Sequence, residues 1–152
     1  MNFATRNAAL NAYGRQSIAT EVEAASPHRL IVMLFEGAIT ACHMAKLHMQ
    51  NGAIADKGAA ISKAIAIIQE GLLLSLDREH EGELVANLAS LYDYMGRRLI
   101  QANVKNDSAL IDEVLGLLIG LKESWEQIAP SKTLTDASPP EDRHHSMSYG
   151  KA

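Results

Sequence analysis

The sequence predicts an all-α fold: an antiparallel four-helix bundle with a short N-terminal helical segment before it and a disordered C-terminal tail after it. Three observations predict it. Apolar residues make up 47% of the 152 residues, yet only 5% are aromatic. The bulk is Ala, Leu, Ile and Met, which favour helices and pack closely without needing hydrogen-bond partners. Four long stretches repeat apolar residues at spacings of three and four, the period of a helix face turned towards a core. The breaks between them are only a few residues long, which makes neighbouring helices antiparallel. Helices of about twenty to twenty-four residues, rising about 1.5 Å each, give a bundle about 30–35 Å long.

A weakly amphipathic segment comes first, over about residues 10–24, with Leu10, Tyr13, Ile18 and Val22 apolar. It stops at Ser26-Pro27, since a proline disfavours the helical conformation for the residue before it. The same pair opens the next helix, with Ser26 as N-cap and Pro27 in the first helical position. That second helix runs to about residue 50 and stops at Asn51-Gly52, a favoured C-terminal pair. Its stripe is Leu30, Leu34, Ala38, Ala41, Ala45 and His48.

The third helix covers about residues 54–76, with Ile54, Gly58, Ile61, Ile65, Ile68 and Leu72 in the four-three alternation of a left-handed seam. A polar break over 77–82 follows. The fourth helix carries Leu84, Leu88, Leu91, Met95 and Ala102 and ends near Asn106-Asp107. The fifth carries Leu110, Val114, Leu117, Leu121 and Ile128, with Trp125 beside the seam. Residues 130–152 hold three of the four prolines, several polar residues and no apolar period, the pattern of a disordered tail. The division is therefore a cap segment at 1–25, the bundle at 26–129 and the tail at 130–152.

A chain of this length buries about 70% of its unfolded surface and needs no staple. Cys42, the single cysteine, has no internal disulfide partner and reads as a small core residue suited to a reducing cytoplasm. Net charge is −4, and basic residues are scattered apart from Arg97-Arg98, which argues against nucleic acid as a partner. No apolar run approaches the ~20 residues of a membrane span, and no basic-then-apolar leader opens the chain.

Chemistry has little to stand on. A di-metal bundle needs Glu and Glu-x-x-His on facing helices, and the nearest match, Asp77-Arg78-Glu79-His80, falls in the predicted loop. His43 and His48 are five apart and share no face, while His144-His145 lies in the tail. There is no phosphate loop, nucleophile elbow or cysteine pair. The expectation is no metal, no cofactor and no catalytic residue.

Interaction features are richer. Opposite the seam of the third helix lies a second stripe, Ala60, Ala64, Ile67, Gly71 and Leu74, again at four-three spacing. A central helix touching neighbours on two sides would show this, and so would a groove for a foreign apolar helix. Off-seam apolar residues recur at Val32, Met33, Ile39, Ile100, Leu115 and Ile119, and several on separate helices favour an exposed patch. Tyr92 falls near the seam and reads as core, whereas Tyr94 falls off it. For Arg97, Arg98, Asp93 and Asn103 the alternatives are a salt-bridged helix surface or a polar rim that orients a partner, with Arg98 and Asn103 as donors.

Two stretches go beyond pattern. Residues 26–38, reading Ser-Pro-His-Arg-Leu-Ile-Val-Met-Leu-Phe-Glu-Gly-Ala, and residues 91–99, reading Leu-Tyr-Asp-Tyr-Met-Gly-Arg-Arg-Leu and running on to Asn103 and Asn106-Asp107, resemble the flagellin-specific export chaperones of the FliS family. Lys57-Gly58, residues 62–65, Ile67-Ile68 and Trp125 fit as well, so the resemblance spans about residues 8–128. Gly96 departs from it, standing where a bulkier apolar residue is expected.

The resemblance implies a cytoplasmic chaperone that binds the C-terminal segment of flagellin, prevents premature polymerisation and delivers the subunit to the flagellar type III export apparatus. Other flagellar regulators are further implied partners. It also implies that Leu10 and Tyr13 take part in client binding, as a flap over the apolar surface or a helix fixed to it. The partner-binding set is thus Leu10, Tyr13, Val32, Met33, Ala60, Ala64, Ile67, Gly71, Leu74, Tyr94, Arg98, Ile100 and Asn103. Composition alone leaves open a regulatory bundle that sequesters another protein, or a structural homo-oligomer. The expected state is a monomer or weak homodimer.

Overall fold

A computed structural model describes residues 24–76 and 82–128. Four helices make up nearly all of it, and no strand occurs among the described residues. The tail and, up to residue 23, the proposed cap segment with Leu10 and Tyr13 lie outside the described residues.

Helix α1 (Pro27–Gln50) starts as its sequence dictates: the Ser26 hydroxyl accepts from Arg29 N at 3.1 Å, and Pro27 takes the first turn, where no amide partner is needed. It ends at Asn51, and Gly52 supplies the positive φ of 72° that turns the chain back. By length and composition α1 could cross a membrane. Its apolar face is instead used inside the bundle, where Val32, Phe35, Ala38, Cys42 and Ala45 are at most 2% exposed.

Helix α2 (Ile54–Ala66) does not continue as an α-helix to residue 76. It widens into a π-turn over Ile67–Leu72, with Leu73 N donating to Ile68 O five residues back at 2.8 Å. The buried residues explain why. Ile61, Ala64, Ile68, Leu72 and Leu76 all face the core, and from Ile68 onward they are four apart. At about 100° per residue, a run of fours drifts about 40° off the core face at every step. The wider turn rotates less per residue and cancels that drift, so Leu72 and Leu76 stay inward.

Helix α3 (Glu83–Lys105) ends at Asn106, whose φ of 54° is the left-handed stop that asparagine tolerates. Lys57, only 5% exposed, reaches across from α2 and donates to Asn103 O at 3.1 Å and Asn106 Oδ1 at 2.9 Å. A buried ammonium is tolerable here because it meets the negative end of the helix dipole and unpaired terminal carbonyls. Helix α4 (Ser108–Glu126) begins directly afterwards, with Asp107 Oδ1 accepting from Ala109 N at 3.0 Å.

Each helix packs on its chain neighbours, and α4 closes the ring against α1. Lys46 at the end of α1 pairs with Asp112 at the start of α4, while His28 at the start of α1 meets Trp125 at the end of α4. These contacts, with the short connections, make the bundle antiparallel. Its centre is filled by Ile61, Ile68, Leu72, Met95, Leu99, Ile111, Val114 and Leu118, each essentially inaccessible. At about 1.5–3 kcal/mol for each large apolar side chain, such burial is the main stabilising term.

Several stripe residues face differently from the expectation. Val32, Ala64 and Leu115, placed off the seam by periodicity, are 2%, 0% and 6% exposed. Ile54, placed on the seam, is 74% exposed. The cause is phase: a straight helix drifts about 20° per heptad against an ideal 3.5-residue repeat. On α1 the core face is wider than the stripe: Ala38, Ala41 and Ala45 of the stripe are buried, and so are Val32, Phe35 and Cys42 beside it. Small residues such as Ala64 then tell little, since they suit a trough and a close helix contact equally well.

Candidate partner-binding groove

The side chains of α1 change size along its length. The first half presents Leu30, Leu34 and Phe35, the second Ala38, Ala41, Cys42 and Ala45. Small residues let helices approach closely, and large ones hold them apart. The bundle is accordingly tight at the alanine end and open at the leucine end.

There an apolar groove of about 630 Å³ lies between the start of α1, the start of α3 and the end of α4. Leu30, Ile31, Leu34 and Phe35 form one wall, Leu84, Leu88 and Tyr92 a second, and Leu121, Trp125 and Ile128 a third, with Ser75 and Leu76 beside them. Leu84 is 55% exposed at the mouth, and Leu74, next to the lining residue Ser75, is 73% exposed. A concave surface of this size with hardly a polar group on it fits an apolar helix or a large apolar side chain.

One rim is pinned. His28 Nε2 donates to Trp125 O at 2.9 Å, Trp125 Nε1 donates to His28 O at 3.1 Å, and the two rings stack with centroids 5.4 Å apart. Both groups are therefore satisfied while the apolar face of the indole remains available to the groove. Outside this clamp, Arg29 approaches Glu36 at 3.5 Å, and Lys122 on α4 reaches Glu36 at 3.9 Å and Glu126 at 3.5 Å.

On the α3–α4 face, Tyr94 Oη donates to Glu113, and Arg98 Nε donates to the other Glu113 oxygen at 2.8 Å. The two hydrogen bonds, Tyr94 first and Arg98 second, hold the Glu113 carboxyl below the usual glutamate range. The bond to Glu113 likewise raises the Tyr94 hydroxyl and the Arg98 guanidinium above their ordinary values. Arg97 pairs with Asp93 one turn back at 3.0 Å. Asp93, Arg97 and Arg98 thus each take part in an ion pair on the helix surface.

Among the described residues, the sequence-derived partner residues do not gather in one place. Val32 and Ala64 are in the core. Ala60 lines a smaller hollow of about 290 Å³ with Gly37, Thr40, Ala41, Met44 and Lys63. Ile67 packs beside Gly37, and Gly71 beside Leu34. Met33 is half-buried, Leu74 and Ile100 are exposed, and Asn103 gives its backbone carbonyl to Lys57. None of the eleven that fall among the described residues lines the larger groove. Leu30, Leu34, Leu84, Leu88, Leu121 and Ile128 of its lining fall on seams by periodicity, and a seam residue and a groove residue have the same periodicity. The gradient from leucine to alanine along α1 was the available clue.

Gly96, the departure from the resemblance, is buried, and a Cβ there would stand 2.3 Å from Gln69 Nε2. The missing side chain makes room for Gln69 in the π-turn.

Comparison with known proteins agrees with the resemblance. The model of the family described as flagellar protein FliS matches residues 9–132. The flagellar secretion chaperone FliS of Salmonella typhimurium is 48% identical over 128 residues, covering 84% of this chain and 95% of that protein. The Escherichia coli protein of the same name is 42% identical, over 81% of this chain and 90% of its own length. The Bacillus subtilis one is 36% identical, over 89% and 91%. With its two motif blocks on α1 and α3 of a four-helix bundle and this similarity along most of its length, the chain belongs to the flagellar protein FliS family.

Proposed function

We propose that this chain is a cytoplasmic secretion chaperone that holds the C-terminal segment of flagellin, keeps it from polymerising and hands it to the flagellar export apparatus. The observation that carries the reading is the apolar groove at the open end of the bundle, joined to family membership. A segment built to pack against copies of itself is an apolar helix when ordered, and a groove of leucines bordered by Trp125 can shield it. Ordering a free segment offsets part of the gross interaction energy, so the complex is extensive yet reversible. Binding alone accounts for this activity, without catalysis. The protein acts as a monomer or weak homodimer, since a stable dimer through the groove would exclude the client.

Leu10 and Tyr13 belong to this reading as a segment that covers apolar surface when no client is present. Tyr13→Ala is then expected to lower flagellin affinity while leaving helicity intact. Leu88→Arg and Leu121→Arg test the groove directly by calorimetry with a flagellin C-terminal peptide. Each places a charge on an apolar wall, with an expected loss of at least about tenfold in affinity. Peptide binding unchanged in both, with normal circular dichroism, would sink the assignment of the groove.

A further inference from the structure

We infer that Gly71 is a specificity-determining position for the groove, setting through Leu34 the width of the occupant it admits. Leu34 lines the groove, whereas Gly71 does not and acts from behind it. A Cβ on Gly71 would stand 2.9 Å from Leu34 Cδ2 and 3.3 Å from Cδ1. Side-chain carbons do not tolerate the first of these distances. The contact is with the flexible end of Leu34, so a methyl group at residue 71 displaces that end, and the open side available to it is the groove. The π-turn over Ile67–Leu72 packs on α1, and the missing Cβ at residue 71 leaves the Leu34 methyls where they stand. The role of Gly71 towards flagellin rests on the proposed function, whereas its control of groove width does not.

The test therefore uses two probes on the full chain: the apolar dye anilinonaphthalene sulfonate, which reports the open groove, and a flagellin C-terminal peptide. Gly71→Ala is expected to weaken both by about tenfold with helicity unchanged. In a Leu34→Ala background the same substitution is expected to change neither by more than about twofold, because the displaced group is gone. Were Gly71→Ala to lose helicity, the double variant would have to recover it together with dye binding; failure to do so overturns the inference. Dye binding unchanged in Gly71→Ala overturns it too, as does an equal loss in the Leu34→Ala background. Weakened dye with unchanged peptide overturns the specificity role and the groove as client site together, and leaves only the steric coupling of Gly71 to Leu34.

Discussion

At the scale of single residues, the polar groups found in or near the core are each explained by a partner or by staying neutral. Burial pushes the Cys42 thiol and the Tyr92 hydroxyl each up to about 12. Both stay protonated in the folded protein above the pH at which they ionise in the unfolded chain. Their contribution to stability is complete below about pH 9, the unfolded thiol value, and is lost as pH rises towards 12. Cys42→Ala should therefore show a shallower alkaline fall in urea midpoint than the parent. The thiol should resist iodoacetamide at neutral pH and react fully in denaturant. Glu113 runs the opposite way: its depressed carboxyl adds stability above the ordinary glutamate value, and that share disappears as pH falls through the folded value. Glu113→Gln should flatten the acid limb of the same titration.

Helix ends and helix faces were legible to different degrees in the sequence. Ser26-Pro27, Asn51-Gly52 and Asn106-Asp107 place the ends of α1, α3 and α4 to within about two residues, since caps are local chemistry. Ser26→Ala should cost about 1 kcal/mol in urea denaturation. The π-turn was not legible, because it is set by contacts across the bundle, Gly71 against Leu34 on α1 and Gln69 against Gly96 on α3, which its own composition does not show. Lys57 was equally hidden: nothing nearby in sequence shows that it reaches the end of α3. Replacing it with methionine leaves Asn103 O and Asn106 Oδ1 without their donor, and should cost about 1–3 kcal/mol. Trp125, the single tryptophan, stacks on His28 beside the groove, so its emission should shift when a client binds. His28→Ala should loosen that rim and broaden the emission of the free protein.

For the molecule as a whole, the bundle followed from periodicity and the family from two motif blocks, but the location of the groove followed from neither. Helical period reports which side of a helix is apolar. It does not report whether the opposing helices close over that side, as they do at Ala38 and Ala45, or stand apart, as they do at Leu30 and Leu34. The central claim is that the open end of this bundle holds the C-terminal segment of flagellin. Mixing the protein with full-length flagellin, and with flagellin lacking that segment, tests it by size-exclusion chromatography with light scattering. A one-to-one complex with the first and none with the second is the predicted result; equal binding to both would contradict it.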